Sequence, residues 1–291
     1  MRALVLSGGG SRGSYQVGVL KRWMGEQNVE YDLLCGVSVG ALNVAGLAHT
    51  PKGNPKEAID WLENFWLTEV AGTNSIYKRW FPFGRLHALW KRSVYNSSPL
   101  AKLVRERFDY EKVQNNGRKL AVGAVCLDSG EHAFGTDEDG DFVEWVLASS
   151  SYPVFFEPIF LRGKLWSDGG IVNITPLGQA VKMGATDIDV VICSDPWSDS
   201  GEWSAKRKVA VPDQVVRTLN LMSDQILRDD VRVTGLKNEL ADWSEKYRKV
   251  RVRVAVPHID LAVDSLKFDP QDIRRLIEIG KESADRATIY E

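Results

Sequence analysis

Residues 31–48 read YDLLCGVSVGALNVAGLA. An apolar run, Leu33-Leu34-Cys35, ends in Gly36-Val37-Ser38-Val39-Gly40, and a helical stretch of small residues follows. This order predicts a strand, a sharp turn and a helix. In a G-x-S-x-G turn the glycines remove side chains that would collide, so the middle serine sits on a strained bend with its hydroxyl projecting from the sheet edge. Ser38 is therefore a candidate nucleophile, and the N-terminus of the helix behind it favours negative charge beside the hydroxyl. A glycine-rich turn with a passenger serine fits the same five residues, because both residue types are common in turns.

Upstream, Arg2 to Ser7 reads as a buried strand and Ser14 to Trp23 as a helix with Val17, Leu20 and Trp23 at helical spacing. With the strand at 31–36 this makes a β-α-β unit, which implies a parallel, doubly wound sheet with its sites at the C-terminal ends of the strands. Both glycine-rich turns then share one edge. In Gly8-Gly9-Gly10-Ser11-Arg12-Gly13, successive glycines let backbone N–H groups turn toward one point, and Arg12 adds a cation. Such a cradle suits the tetrahedral oxyanion of acyl transfer. Gly8, Gly10 and Gly13 also satisfy G-x-G-x-x-G, the dinucleotide fingerprint. That fingerprint wants an acid at the end of the second strand. Here Gly36 stands at that end, and Glu30 and Asp32 at its beginning.

Downstream, Asn54-Pro55 opens a helix to about Thr68, and Ser98-Pro99 caps another. Between them Ala71 to Asn96 is irregular and rich in aromatics and arginines. Lys119 to Leu127 and Glu131 to Gly135 read as a strand and its hairpin partner, and Phe142 to Ser150 as a helix that Pro153 stops. Ile159 to Trp166, turning at Gly163, leads to Ser167-Asp168-Gly169-Gly170. A helix at Pro176 to Met183, a strand at Ile188 to Cys193, a polar loop at Ser194 to Ala205, a long helix from Pro212 to about Trp243, a strand at Val250 to Val256 and a helix from Pro270 to about Arg286 complete the chain. No repeat or linker interrupts it. The expectation is one α/β domain over residues 1–291, with an aromatic-rich insert at about 50–96 and a helical C-terminal part from about 212.

With 44% hydrophobic residues, the 291-residue chain can fill a core, and its net charge of −2 offers no basic field for nucleic acid. Cys35, Cys126 and Cys193 lie in apolar runs without C-x-x-C spacing, as core thiols in a reducing compartment do. No signal peptide or span of roughly 20 apolar residues is seen, so a cytoplasmic location is expected. No His/Asp/Glu cluster has metal-ligand spacing, and no cofactor is implied.

A serine nucleophile needs a base. His49 lies at the far end of the elbow helix, about 16 Å away at 1.5 Å per residue. His87 is in the insert, His132 follows a hairpin turn, and His258, after Pro257 at a strand end, is the one histidine placed where a base could stand. Asp168, on an uncrowded Asp-Gly-Gly turn after a strand, is the better candidate, provided partial burial raises its basicity.

From residue 1 to about 195 the chain resembles the patatin-like phospholipases. Gly8 to Gly13 is similar to the family's G-G-G-x-R-G loop and Gly36 to Gly40 to its G-x-S-x-G elbow. Ala148 to Pro158, ASSSYPVFFEP, is similar to its A-S-x-x-x-P-x-x-F-x-P segment, and Asp168-Gly169-Gly170 to its D-G-G. The resemblance implies a three-layer α/β/α sandwich with a central, mostly parallel sheet. It also implies a Ser-Asp dyad acting on acyl esters of phospholipids, lysophospholipids or neutral lipids. Carried over, Ser38 is the nucleophile and Asp168 its base, and Gly9, Gly10, Ser11, Arg12 and Gly13 form the oxyanion and substrate-binding loop.

Two alternatives stay open: a nucleotide-binding Rossmann-like protein, and a non-catalytic interaction module on the patatin-like fold. In the insert, Trp61, Phe65, Trp66, Tyr77, Trp80, Phe81, Phe83 and Trp90 are interleaved with Lys78, Arg79, Arg85, Lys91 and Arg92. Trp61 and Trp66 follow helical spacing, as core residues do. Residues 77–92 read either as a cap over the sheet edge or as a lid making peripheral membrane contact.

Overall fold

Strand β1 (Arg2–Leu6) serves two cores at once. Leu4 and Leu6 belong to one and Ala3 and Val5 to the other, all fully buried. An uninterrupted apolar run of this kind is what a strand covered on both faces requires. The computed structural model describes residues 1–70, 72–80, 92–197, 211–241 and 248–291.

Parallel to β1 run β2 (Leu33–Val37) on one side and β9 (Asp187–Val191) on the other. Beyond them β5 (Lys119–Cys126) joins β2, and β10 (Arg251–Ala255) joins β9, again in parallel. Antiparallel pieces finish the sheet: β6 (His132–Thr136), β7 (Ile159–Leu161), β8 (Lys164–Asp168) and β11 (Thr288–Tyr290). Residues of α1 (Gly13–Leu20), α2 (Val39–Leu47), α3 (Pro55–Thr68), α4 (Thr73–Ile76), α5 (Ser98–Arg107), α6 (Tyr110–Gln114), α7 (Phe142–Ser149) and the Pro270–Ala284 helix fill the first core. Those of α8 (Leu177–Lys182) and the Val211–Ala241 helix fill the second. Helices on both faces of a central sheet make the expected α/β/α sandwich.

One detail of the sheet positions the site. β5 pairs with β2 through Lys119–Gly123 and with β6 through Ala121–Val125, so these two lie on opposite edges of it. β8 pairs through Ala124–Cys126, which overlaps β6, and therefore takes the same edge as β2. Strands β2 and β8 meet end to end there, Val37 opposite Gly123 and Asp168 opposite Ala124.

A second detail closes the fold. A Cβ on Gly18 would lie 1.9 Å from Ile277 O, and one on Gly280 would lie 2.1 Å from Tyr15 O. Only glycines let α1 and the Pro270–Ala284 helix pack backbone on backbone here.

The described parts of the insert hold regular structure where irregular chain was expected. After α4, Lys78–Arg79 (β3) pairs with Tyr95–Asn96 (β4). Ser97, rather than Ser98, is the N-cap of α5, and the preceding Asn96 accepts the Ser98 N–H through Oδ1 at 2.9 Å. Pro55 begins α3 as expected, with Asn54 Oδ1 accepting the Glu57 N–H. Trp66 is buried, Nε1 donating to Asn43 Oδ1 at 2.8 Å, and half-buried Trp61 packs on the same core. Trp80 Nε1 donates to Ser93 O at 3.2 Å. Phe81, Phe83, Arg85, His87, Trp90 and Lys91 lie outside the described residues, as do most of the polar loop after Ser194 and Trp243.

Candidate active site

Ser38 sits between β2 and α2 with φ 57° and ψ −126°, a conformation non-glycine residues avoid. Its neighbours leave no room for relaxation. A Cβ on Gly36 would lie 2.4 Å from Gly40 O, and one on Gly40 would lie 2.3 Å from Leu6 O. The glycines of G-x-S-x-G are thus needed where β1, β2 and α2 converge.

Three consecutive serines at the end of α7 hold this bend and the Asp168 turn together. Ser149 Oγ accepts the Ser38 N–H at 2.9 Å, and the Ser150 hydroxyl, whose shorter bond is to Val146 O at 2.9 Å, also lies 3.3 Å from Ser38 O. Ser151 O accepts the Asp168 N–H at 3.0 Å and the Ser167 hydroxyl at 2.6 Å.

Asp168 ends β8 and is buried, 1% exposed. Its Oδ1 accepts the Gly170 N–H at 2.8 Å. Burial pushes the carboxyl up to about 7, against a smaller downward pull from the Ser38 hydroxyl and the Gly170 amide. Oδ2, fully enclosed, makes no hydrogen bond of full geometry. The Ser38 hydroxyl is near enough to Asp168 to favour its charged form. A Cβ on Gly169 would lie 2.5 Å from Gly123 O, so the Asp-Gly-Gly turn needs its glycine to press against β5.

The loop 8–13 divides its amides between two tasks. Ser11 donates its N–H to Ser265 O at 2.8 Å, Arg12 to Gly9 O at 3.2 Å, and Gly13 back to Gly10 and Ser11. These three close the loop on itself and on the chain near residue 265. The amides of Gly9 and Gly10 donate to no acceptor among the described residues. Gly10 has φ 57°, and a Cβ there would lie 2.1 Å from Ser265 O. The Arg12 guanidinium donates to Val263 O through Nε at 3.2 Å and Nη2 at 2.9 Å.

Gly9, Gly10, Arg12, Ser38 and Asp168 line one cleft; Ser11 and Gly13 stand behind it. The cleft wall is largely apolar, with Leu42, Phe65, Trp66, Leu100, Leu103 and Phe156 among its residues. Ser194, Asp224 and Ser265 add polar groups to the same lining. Apolar walls with a few convergent polar groups are the mark of a small-molecule site.

Of the histidines, His49 stacks on Trp61 with ring centroids 4.5 Å apart. His258 shares a hydrogen bond with Ser283 Oγ at 2.7 Å, turned toward the Pro270–Ala284 helix. His132, opposite Val125 in the hairpin, is nearer the site than its sequence position suggests, because a Cβ on Gly169 would lie 2.9 Å from its Nε2. Burial pushes it down to about 4, which keeps it neutral. Among the described residues no three His, Cys, Asp or Glu are grouped to hold a metal, and the three cysteines are free and buried.

The chain is similar to known proteins over part of its length. A cGAMP-activated phospholipase of Vibrio cholerae is 27% identical over 226 residues, 67% of this chain and 62% of that protein. The mouse patatin-like phospholipase domain-containing protein 7 is 31% identical over 197 residues, 66% of this chain and 13% of its own length. This chain thus spans less than two thirds of the length of these relatives. Among solved structures, VipD of Legionella pneumophila aligns with all of this chain and 68% of its own, with TM-score 0.48 and 11% identity. The sequence model of the patatin-like phospholipases matches residues 4–181, which carry both glycine turns, the three serines and the Asp-Gly-Gly turn. On that match the chain belongs to the patatin-like phospholipase family.

Proposed function

We propose that this protein is a serine acyl-ester hydrolase of lipids, of phospholipase A or lysophospholipase type, working with a Ser38-Asp168 dyad. The observation that carries the reading is the buried Asp168 carboxylate, raised to about 7, in the same apolar-walled cleft as a serine held at φ 57°. A base poised near neutral pH is what a serine hydroxyl needs to be activated.

In this reading the Ser38 hydroxyl attacks the ester carbonyl carbon while its proton passes to Asp168 Oδ2. The negative oxygen that results is met by the Gly9 and Gly10 amides and by the N-terminus of α2. Collapse of the intermediate releases the alcohol, which takes the proton from Asp168, and leaves the acyl group on Ser38. Water then attacks the acyl-enzyme, giving its proton to Asp168, and the fatty acid leaves as Ser38 regains its hydrogen. The apolar wall takes the acyl chain.

The family and its phospholipase relatives support lipid hydrolysis. Membrane lipids as substrates imply work at a surface, and no described helix is long and apolar enough to cross a membrane. We extend the proposal to peripheral contact through residues 77–92, where Lys78 and Arg79 are exposed. Anionic-vesicle binding that is unchanged by Lys78→Glu with Arg79→Glu would remove that extension.

The central test pairs a chromogenic acyl ester with a fluorophosphonate probe, on wild type and Ser38→Ala. Turnover and labelling are both expected to vanish in the variant. Labelling that persists would put the nucleophile elsewhere, and a wild type inert to both reagents would favour the non-catalytic alternative.

A further inference from the structure

Trp66 and Asn43 line the cleft, and from them a continuous chain of hydrogen bonds runs to the first glycine turn. Trp66 Nε1, on α3, donates to Asn43 Oδ1, on α2, at 2.8 Å. Asn43 Nδ2 donates to Gln16 Oε1, on α1, at 2.8 Å and to Gly13 O at 3.1 Å. Gln16 Nε2 donates to Ser7 O at 2.7 Å. Ser7 Oγ then donates to Gly8 O at 2.9 Å and accepts the Cys193 N–H at 3.0 Å. Trp66, Asn43, Gln16 and Ser7 are at most 3% exposed. Neither amide can turn over. An indole N–H only donates and a backbone carbonyl only accepts, so Trp66 and Gly13 orient Asn43, and Ser7 O orients Gln16.

The two carbonyls on which this network ends bracket the loop that carries the Gly9 and Gly10 amides. Ser7 immediately precedes that loop and Gly13 closes it. Contacts to residues 263–265, through Ser11 and Arg12, hold its middle; Asn43 and Gln16 hold both ends. Asn43 also belongs to the helix of which Ser38 is the N-cap. A Cβ on Gly13 would lie 2.3 Å from Val39 Cγ2 and 3.1 Å from Trp66 Cζ2, so loop and helix are pressed together as well as bonded. We infer that Asn43, with Gln16, is a positioning residue that holds the Gly9 and Gly10 amides at a set distance from Ser38. The inference rests on the acyl-ester reading above. Donors that meet negative charge only in the transition state lower kcat when displaced and leave KM unchanged.

Asn43→Asp keeps the size of the side chain and sets an oxygen against two acceptors, Gly13 O and Gln16 Oε1. Its kcat on a short-chain chromogenic ester should fall about tenfold to a hundredfold, with KM within about twofold. Gln16→Met frees Ser7 O and leaves Asn43 on Gly13 O, so it should show the same split to a smaller extent, and it carries the test alone if the aspartate variant does not fold. Val252→Ala opens a cavity in the other core and should lower Tm while leaving kcat within about twofold. The second readout is hydrogen exchange. The bonded amides of Gly8, Ser11, Arg12 and Gly13 should exchange severalfold faster in both network variants, while those of the Pro270–Ala284 helix keep the wild-type rate. A loss carried by KM, a kcat loss no greater than that of Val252→Ala, or unchanged exchange in the loop overturns the inference. Failure of the acyl-ester reading would show separately, as a wild type that turns over no ester and is not labelled at Ser38 by a fluorophosphonate. The exchange rates then decide alone whether Asn43 and Gln16 hold the loop.

Discussion

The Ser149 hydroxyl accepts the backbone N–H of Ser38 at 2.9 Å, so the end of one helix holds the strained residue at the start of another. A backbone at φ 57° persists only where its surroundings over-determine it.

Removing that acceptor tests the point. Ser149→Ala leaves the Ser38 N–H without its partner, at a cost of about 1–3 kcal/mol. We expect a lower Tm and a kcat on a short-chain ester reduced tenfold or more, with KM within about twofold. An unchanged kcat would deny Ser149 any part in positioning Ser38.

The Asp168 carboxyl, raised from 3.8 to about 7, sets two pH dependences of opposite sense. Only its ionised form takes a proton, so kcat/KM should climb as pH rises through about 7, and the same profile should appear in His258→Ala, whose ring faces Ser283. Stability runs the other way. The raised group favours the fold fully below the unfolded value of 3.8, and that contribution is lost as pH rises through about 7. Asp168→Asn should therefore be inactive yet melt higher than wild type at pH 8, with the gap narrowing at pH 5. A variant that melts lower at pH 8 would contradict this account.

Two glycines should respond in opposite directions to the same methyl group. At Gly40 a Cβ would meet Leu6 O at 2.3 Å, where backbone on both sides cannot yield, so Gly40→Ala should cost at least the roughly 1–3 kcal/mol typical of overpacking. At Gly178, within α8, nothing lies within 4 Å, and Gly178→Ala should stabilise by about 0.5–1 kcal/mol. Urea unfolding measures both.

The apolar wall makes a prediction about chain length. Leu103 is one of the apolar residues that line the cleft, so Leu103→Trp should narrow the space for an acyl chain and move the preferred chain toward fewer carbons while leaving acetyl-ester turnover nearly intact. Equal loss across all chain lengths would show that the residue supports the fold instead.

Much of the sheet is legible in the sequence because strand, turn and helix signals are local. The Ser38 elbow and the Asp168 turn announce themselves in five and three residues. The role of Ser149, Ser150 and Ser151 does not, since at the end of an apolar helix they read as small residues, and their partners lie in β2 and β8. The loop 8–13 is similar. Its glycines mark it as an amide cradle, but that Ser11 spends its N–H on Ser265 depends on a contact across nearly the whole chain. His132 is placed by hairpin register and β11 by its pairing with β10, and neither leaves a periodic trace.

The end-to-end meeting of β2 and β8 on one edge of β5 also has a consequence for how the protein is made. Ser38 and Asp168 become neighbours only when Val37 is laid against Gly123 and Asp168 against Ala124, and a slip of one residue in either pairing would move a partner by about 3.3 Å and turn its side chain to the other face. A chain leaving the ribosome therefore carries its elbow serine through the synthesis of β5, the β6 hairpin and α7 with no carboxylate beside it. Whatever chemistry the pair performs cannot begin on a half-made molecule.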